Sequence, residues 1–369
     1  MRKFLLDKIE AGYFSSGHIL AAQNGRILVD ECAGAGPETR YNIESITKVM
    51  VTLPIAFKLI EQGRLRLDDA VAEYIPQFAA GHPAESHRDA VTIRQLLNFT
   101  GGIPLEDPPG AAEAAAAGDL SGAWAAHYRQ EPAFAPGSRV LYSDVSCRIL
   151  GKVLETVAGM DLDTAARRWF FDPLGMNHTT FLPPDPAACA NTGRSDSGRS
   201  LQGQLTQDLE HDMGEVLGSD GLFSTAADML TFAQMLLDGG TIPAGQTDTP
   251  SRLFSEAAVE RMTGSCTNAQ IAEEPVSGLH YLLSGPKVWF WELAAAPFSY
   301  FGDLVSDAAI GKLGGAGTFL LIDPVYELVI VYLTNYGQPA ATLTGEDAWT
   351  RFHRDLDMPA ICNRIISGL

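Results

Sequence analysis

Residues 45–60 read Ser45-Ile46-Thr47-Lys48-Val49-Met50-Val51-Thr52-Leu53-Pro54-Ile55-Ala56-Phe57-Lys58-Leu59-Ile60, and this stretch organises the rest of the chain. Val49, Met50, Leu53, Ile55, Ala56, Phe57, Leu59 and Ile60 surround the axis on nearly all sides, which predicts a helix buried at the centre of the molecule. A lysine in its first turn is costly unless it is paired or used. If the helix begins at the serine, residues three apart share a face, so Lys48 can reach the Ser45 hydroxyl and assist it as a nucleophile. The positive end of the helix dipole there favours developing negative charge. A partly exposed serine and lysine at a helix start is the other reading of the same four residues. The spacing recurs at Ser284-Gly285-Pro286-Lys287, but a Gly-Pro interior forbids a regular turn and gives that pair no reason to converge.

Outward from this helix the chain ends look alike. His18–Ala22 and Arg26–Glu31 are strand-like runs on either side of Asn24-Gly25, a pair suited to a type I′ turn. Thr318–Ile322 and Leu328–Leu333 flank Asp323-Pro324 in the same manner. Residues 2–12 show helical spacing up to Gly12, and residues 345–367 read as one terminal helix. Between Val49 and about Gly240 the spacing is mostly helical, punctuated by Pro and Gly. Both ends therefore supply strands and helices to one antiparallel sheet. The expected division is 1–60 with 210–369 as a sandwich holding the central helix, and 61–209 as an inserted, mostly helical lobe. Gly110–Gly118 is alanine-rich and reads equally as helix or loop. Residues 183–204 read as a long loop, either functional or disordered.

The bulk composition excludes several functions. A formal net charge of −19 is the wrong sign for a nucleic-acid partner. No apolar run approaches the roughly 20 residues that span a bilayer, and the run Phe4-Leu5-Leu6 is too short for the core of a signal peptide. The expectation is a soluble, cytoplasmic protein with no membrane partner. Cys32, Cys147, Cys189, Cys266 and Cys362 are scattered, as isolated thiols would be, and the histidines lack ligand spacing, so neither a metal nor a cofactor is expected.

Two further motifs bear on chemistry. Tyr142-Ser143-Asp144 precedes the helical run Cys147–Val157. A tyrosine takes a serine proton at neutral pH only if neighbouring cations stabilise its phenolate, and Lys48 and Lys312 are the candidates. A buried ring with a satisfied hydroxyl is the alternative. Lys312-Leu313-Gly314-Gly315-Ala316-Gly317-Thr318 leads into a strand, where glycines admit a ligand backbone and an exposed N–H can hold an oxyanion. A plain glycine-rich turn has the same composition. The Gly-x-Ser-x-Gly elbow of the commonest serine hydrolases is absent.

Together with "IRQLLNFTGGIP" at 93–104, "FAPGSRVLYSD", "FDPLGM" at 171–176, "GLFSTAADM" at 221–229 and "IDPVYELVIVYLTN" at 322–335, these motifs resemble the serine β-lactamase and penicillin-binding protein superfamily. The nearest branch is the class C-like one, which includes esterases and D-amino-acid peptidases. The resemblance implies a three-layer α/β/α sandwich with an inserted helical lobe. It also implies Ser45 as the acylated nucleophile, Lys48 as its activator and Tyr142 as the proton carrier. Lys312 and Gly314 match positions of the Lys-Thr-Gly box, and the N–H groups of Ser45 and Gly315 match the oxyanion hole. Leu313 replaces the box threonine and Asp144 replaces an asparagine, so penicillin-like acids should bind less well.

The function implied is hydrolysis through an acyl-enzyme, most readily of small esters or amides, with a small-molecule acyl substrate as the partner. A β-lactamase or D-Ala/D-amino-acid peptidase, an acyltransferase, and a non-hydrolysing acyl-binding sensor remain as alternatives. Trp289, Phe290, Trp291, Phe298, Tyr300 and Phe301 either wall an apolar acyl pocket or pack in the core. Oligomeric state is not legible.

Overall fold

The computed structural model describes residues 1–83, 86–242, 251–265, 267–296, 298–337 and 345–369. Cys266 lies outside them, and Cys32, Cys147, Cys189 and Cys362 are free thiols.

The strands are β1 (Gly17–Gln23), β2 (Arg26–Ala33), β3 (Tyr41–Asn42), β4 (Thr180–Phe181), β5 (Leu222–Ser224), β6 (Lys287–Val288), β7 (Trp291–Leu293), β8 (Ile310–Gly314), β9 (Thr318–Asp323) and β10 (Leu328–Thr334). Seven form one sheet in the order β2-β1-β10-β9-β8-β7-β6, with every pairing antiparallel. The two ends of the chain meet at its centre, where Gly17 to Gln23 of β1 pair with Thr334 to Leu328 of β10. The turn between β1 and β2 has Asn24 at φ 50° and Gly25 at φ 71°, the positive dihedrals that this pair was expected to supply. β3, β5 and β4 form a second, three-stranded sheet.

Alternation along the central strands divides the interior in two. Ile19, Ala21, Ile330, Tyr332, Phe319 and Leu321 face one core, shared with Phe4 and Leu5 of helix Arg2–Glu10 and with Phe352, Leu356 and Ile361. Leu20, Val329, Val331, Leu333, Leu320 and Ile322 face the other, which continues through Met50, Ile55 and Phe57 to Leu150 and Phe170. Both faces of the sheet are therefore covered by helices, giving the three-layer α/β/α arrangement.

Three local features differ from the expectation or complete it. The C-terminal helix is two helices, Glu346–Leu356 and Met358–Ile366, broken at Asp357 with φ 54°. Pro359 has no N–H to donate and its ring excludes a continuing helix, so the chain must restart there. The segment after Ser45 does not enter an α-helix directly. It runs through a 3₁₀ turn (Glu44–Ile46) and a π-helical turn (Lys48–Thr52) before the α-helix Leu53–Glu61. Pro54 cannot donate to the Met50 carbonyl, and Leu53 N–H reaches back to Lys48 O, which widens the turn. The alanine-rich stretch forms the helix Ala111–Ala116, with Ala111 and Ala115 buried.

Gly314 ties the sheet to the Ser45 segment. A Cβ there would lie 2.4 Å from the Ile43 carbonyl oxygen and would also collide with Thr318 Oγ1. That carbonyl accepts from Thr318 Oγ1 at 3.2 Å. Only glycine lets β8 lie this close to the backbone two residues before the serine. Gly314→Ala is expected to cost about 1–3 kcal/mol by overpacking, read as a lower urea midpoint, and to depress ester turnover more than that loss of stability explains. Unchanged stability and turnover would contradict the close approach.

Candidate active site

Ser45 sits in the 3₁₀ turn that follows β3, and Tyr142 precedes the helix Asp144–Ala158. Ser143 starts that helix, its Oγ accepting from Ser146 N–H at 3.0 Å, as serine does at an N-cap. This cap turns Tyr142 inward on one side and places Asp144 in the first helical turn. The Tyr142 ring lies 4.9 Å from that of Phe99.

Ser45, Lys48, Tyr142 and Asp144 meet. Ser45 Oγ is 2.7 Å from Tyr142 Oη, and Lys48 Nζ donates to Ser45 Oγ at 2.9 Å. Lys48 Nζ also donates to the Ser219 carbonyl at 2.6 Å and lies 2.6 Å from Asp144 Oδ1. These three contacts match the three donors of an ammonium group. Lys48 has no solvent exposure.

Burial alone would push Lys48 toward its neutral form, but the negative charge of Asp144 outweighs it and holds the ammonium well above the usual lysine range. Burial also works against the charge on Asp144. Lys48 and Arg148 overcome it and keep the carboxyl below its ordinary value. Tyr142 is driven well above the ordinary tyrosine value by burial first and by Asp144 next, with Lys48 only partly opposing. The phenolate expected from two neighbouring cations is therefore not favoured at rest: Tyr142 is a phenol and Lys48 is a cation.

The second cation is also occupied. Lys312 Nζ stands 4.9 Å from the centre of the Tyr142 ring, but it is paired with Glu292 Oε1 at 2.5 Å, and both side chains are fully buried. Burial lowers the Lys312 ammonium, and Glu292 only partly compensates. Gly314 lies against the Ile43 backbone and the Thr318 hydroxyl, and its neighbours Leu313 and Gly315 line the cavity.

That cavity, of about 740 Å³, opens over Ser45 and Tyr142. Its lining combines apolar side chains, Leu105, Leu279, Leu282, Leu283, Leu313 and Trp349, with acidic ones, Glu44, Asp107, Asp144, Asp208 and Asp220. The long loop 183–204 contributes Asp196 to the lining, and Thr206 and Gln207 follow it. Arg148, one helical turn beyond Asp144 and fully buried, pairs with Asp107 at 2.5 Å and Glu210 at 2.6 Å.

The aromatic cluster lies elsewhere. Trp289, Phe290 and Trp291 are wholly buried, Trp289 against Phe57 and Phe290 against Phe99. Tyr300 and Phe301 pack in the core on the other side of the sheet, and Phe298 is 53% exposed. At the second Ser-x-x-Lys spacing, Lys287 Nζ turns to the Tyr281 carbonyl at 3.4 Å. Sequence reasoning missed Glu44, Asp220 and Glu292. Glu292 carried a signal, being a lone charge within Trp289-Phe290-Trp291-Glu292-Leu293, where burial demands a partner.

Comparison with known proteins supports the same fold. A protein of Escherichia coli (strain K12), provisionally named D-alanyl-D-alanine carboxypeptidase, is 29% identical over 373 aligned residues, covering 91% of this chain and 81% of that protein. A penicillin-binding protein homologue from Caulobacter crescentus superposes with a TM-score of 0.69 at 22% identity, over 98% of this chain and 95% of that one. EstCE1, a hydrolase described as having promiscuous acyltransferase activity, superposes with a TM-score of 0.68 at 20% identity, over 96% of each chain. The family model described as beta-lactamase matches residues 6–352, nearly the whole chain, and the protein belongs to that family.

Proposed function

We propose that this protein is a serine hydrolase that cleaves small neutral or cationic esters or amides through an acyl-Ser45 intermediate. The observation that carries the reading is the contact of Ser45 Oγ with both Tyr142 Oη at 2.7 Å and Lys48 Nζ at 2.9 Å, at the floor of a cavity. Nucleophile and proton carriers within hydrogen-bond reach are the requirement for covalent catalysis.

In this proposal the Ser45 hydroxyl donates to Tyr142 Oη, a contact in which either oxygen can be the donor, while Lys48 donates to Oγ. As Oγ bonds to the substrate carbonyl carbon, its proton passes to Tyr142, and the Tyr142 proton passes to the leaving group as the scissile bond breaks. No free phenolate is required, which suits a phenol held above its ordinary range by burial and Asp144. The Lys48 ammonium stabilises the charge that grows on Oγ. The N–H groups of Ser45 and Gly315, both on the cavity wall, are assigned to the carbonyl oxygen.

Substrate class follows from charge. A carboxylate recognised by a Lys-Thr-Gly box needs a free ammonium and a hydroxyl; here Lys312 is bound to Glu292 and Leu313 has no hydroxyl. Acidic side chains lining the same cavity, Asp107, Asp144 and Asp208 among them, add negative potential against an anion. These features argue against terminal-carboxylate peptides and penicillins and favour an uncharged or positive acyl compound whose apolar part lies on the leucine side chains.

Ser45→Ala is expected to abolish the mass increase produced by p-nitrophenyl butyrate, seen by intact-mass spectrometry. Undiminished labelling would contradict the assignment. Tyr142→Phe removes the relay and should lower the acylation rate by about 10²–10⁴-fold while leaving the thermal midpoint within a few degrees; a rate close to wild type would count against the relay. Asp144→Asn removes the negative charge nearest Lys48, so the ratio of penicillin to neutral-ester acylation should rise by about tenfold, on the order of 1.4 kcal/mol. An unchanged ratio would show that Asp144 does not select charge.

A further inference from the structure

The helix Ile93–Leu97 ends in a form that usually calls for glycine. Asn98 closes it, the Phe99 N–H donates to the Leu96 carbonyl at 3.3 Å, and the Thr100 N–H reaches back to the Gln95 carbonyl at 2.8 Å. This pair of bonds is the Schellman arrangement, in which the residue after the cap takes a left-handed conformation. Phe99 takes it, with φ at 60°. A bulky side chain is an outlier there, whereas glycine would end the helix without steric cost. Outliers of this kind persist where the surrounding structure holds them, and they collect at functional sites. What phenylalanine brings and glycine lacks is the ring.

That ring is buried, with its centre 4.9 Å from the centre of the Tyr142 ring and 5.1 Å from that of Phe290, within the range of direct aromatic contact. The Phe99 carbonyl also accepts from the Leu141 N–H at 2.9 Å, and the Tyr142 N–H donates to the Leu283 carbonyl at 2.7 Å. These two bonds set the backbone on which Tyr142 stands. They leave the swing of its ring about the Cα–Cβ bond to packing, and that swing carries Oη toward or away from Ser45. Lys48 Nζ and Lys312 Nζ stand 5.1 and 4.9 Å from the centre of the Tyr142 ring, but each is held by a carboxylate, Lys48 by Asp144 and Lys312 by Glu292. Phe99 supplies an apolar surface for the ring to bear on.

Resting on the acyl-Ser45 reading above, we propose that Phe99 is a positioning residue for Tyr142, its ring bearing on the Tyr142 ring so that Oη stays 2.7 Å from Ser45 Oγ. Phe99 does not line the cavity, and a phenyl group neither gives nor takes a proton, so it acts only through Tyr142. Its effect is on the distance over which the relay works. Misplacing a reacting group by about 1 Å costs on the order of 10²-fold in rate. Leucine at this position would keep apolar bulk and the positive φ but present no ring. Glycine would relieve the positive φ and leave the space beside Tyr142 empty.

The test is a double-mutant cycle on the full-length protein, which compares acylation by p-nitrophenyl butyrate in wild type, Phe99→Leu, Phe99→Gly, Tyr142→Phe and the two double variants, with Ser45→Ala as the control. Phe99→Leu and Phe99→Gly should each slow acylation by about 10–10²-fold when Tyr142 is present. In the Tyr142→Phe background the same changes should cost less than about twofold, because no hydroxyl remains to be placed. A loss of folded protein lowers the rate by the same factor in both backgrounds, so the cycle reads the role even where one variant folds poorly. An equal factor in both backgrounds, or wild-type acylation in both Phe99 variants, would overturn the role of Phe99 alone. A Tyr142→Phe rate close to wild type would overturn the relay and, with it, the residue that serves it. Labelling of Ser45→Ala at the wild-type rate would overturn the acyl-enzyme reading itself.

Discussion

A lysine ammonium taken wholly out of water must be matched on every side, and Lys48 is the group around which this molecule is arranged. Isolated, a buried ammonium would lose its proton or leave the interior. Here Asp144 supplies the charge, the Ser219 carbonyl a second acceptor and Ser45 the third. Three separate parts of the chain are thereby tied to one nitrogen: the helix Asp144–Ala158, the segment before β5 and the turn after β3. The same contacts fix Ser45 Oγ between Lys48 Nζ and Tyr142 Oη. Structural satisfaction of the lysine and placement of Ser45 are one geometry.

The sheet and its glycine supply the opposite side. β8 carries Lys312 into a second buried pair with Glu292, and Gly314 lets the strand lie against the Ile43 carbonyl, which brings Gly315 and Ser45 to a common cavity. Lys312 is neutralised internally by Glu292, and acidic side chains line the cavity that Ser45 and Tyr142 share; on the proposed reading both features disfavour an incoming carboxylate.

Much of this was legible in the sequence because it depends on local rules. Asn24-Gly25 announces its turn, alternating strands announce their two faces, Ser45 and Lys48 stand at a spacing that lets them meet, and the resemblance to the serine β-lactamase superfamily implies that Tyr142 joins them. What escaped was set by tertiary contact. Whether Tyr142 ionises depends on the depth of burial, Asp144 and Lys48 together, and no window of sequence contains them all. The aromatic run at 289–301 satisfied composition rules for either a pocket or a core, and the close packing of Trp289 on Phe57 decided for the core. The break at Asp357 was visible in Pro359, but the helical pattern on both sides concealed it. Pro54, by contrast, left the central helix intact and altered only its first turn.

The charge on Lys48 is the point at which the account is most exposed. Selective carbon-13 labelling of the lysine ε-methylene groups, with Lys48 assigned by comparison with Lys48→Arg, would report its protonation directly in the folded protein. The account predicts a chemical shift that remains that of an ammonium from neutral pH past the ordinary lysine value of about 10.4. A Lys48 that titrates below pH 8 would contradict it, and would return the task of accepting the Ser45 proton to the lysine.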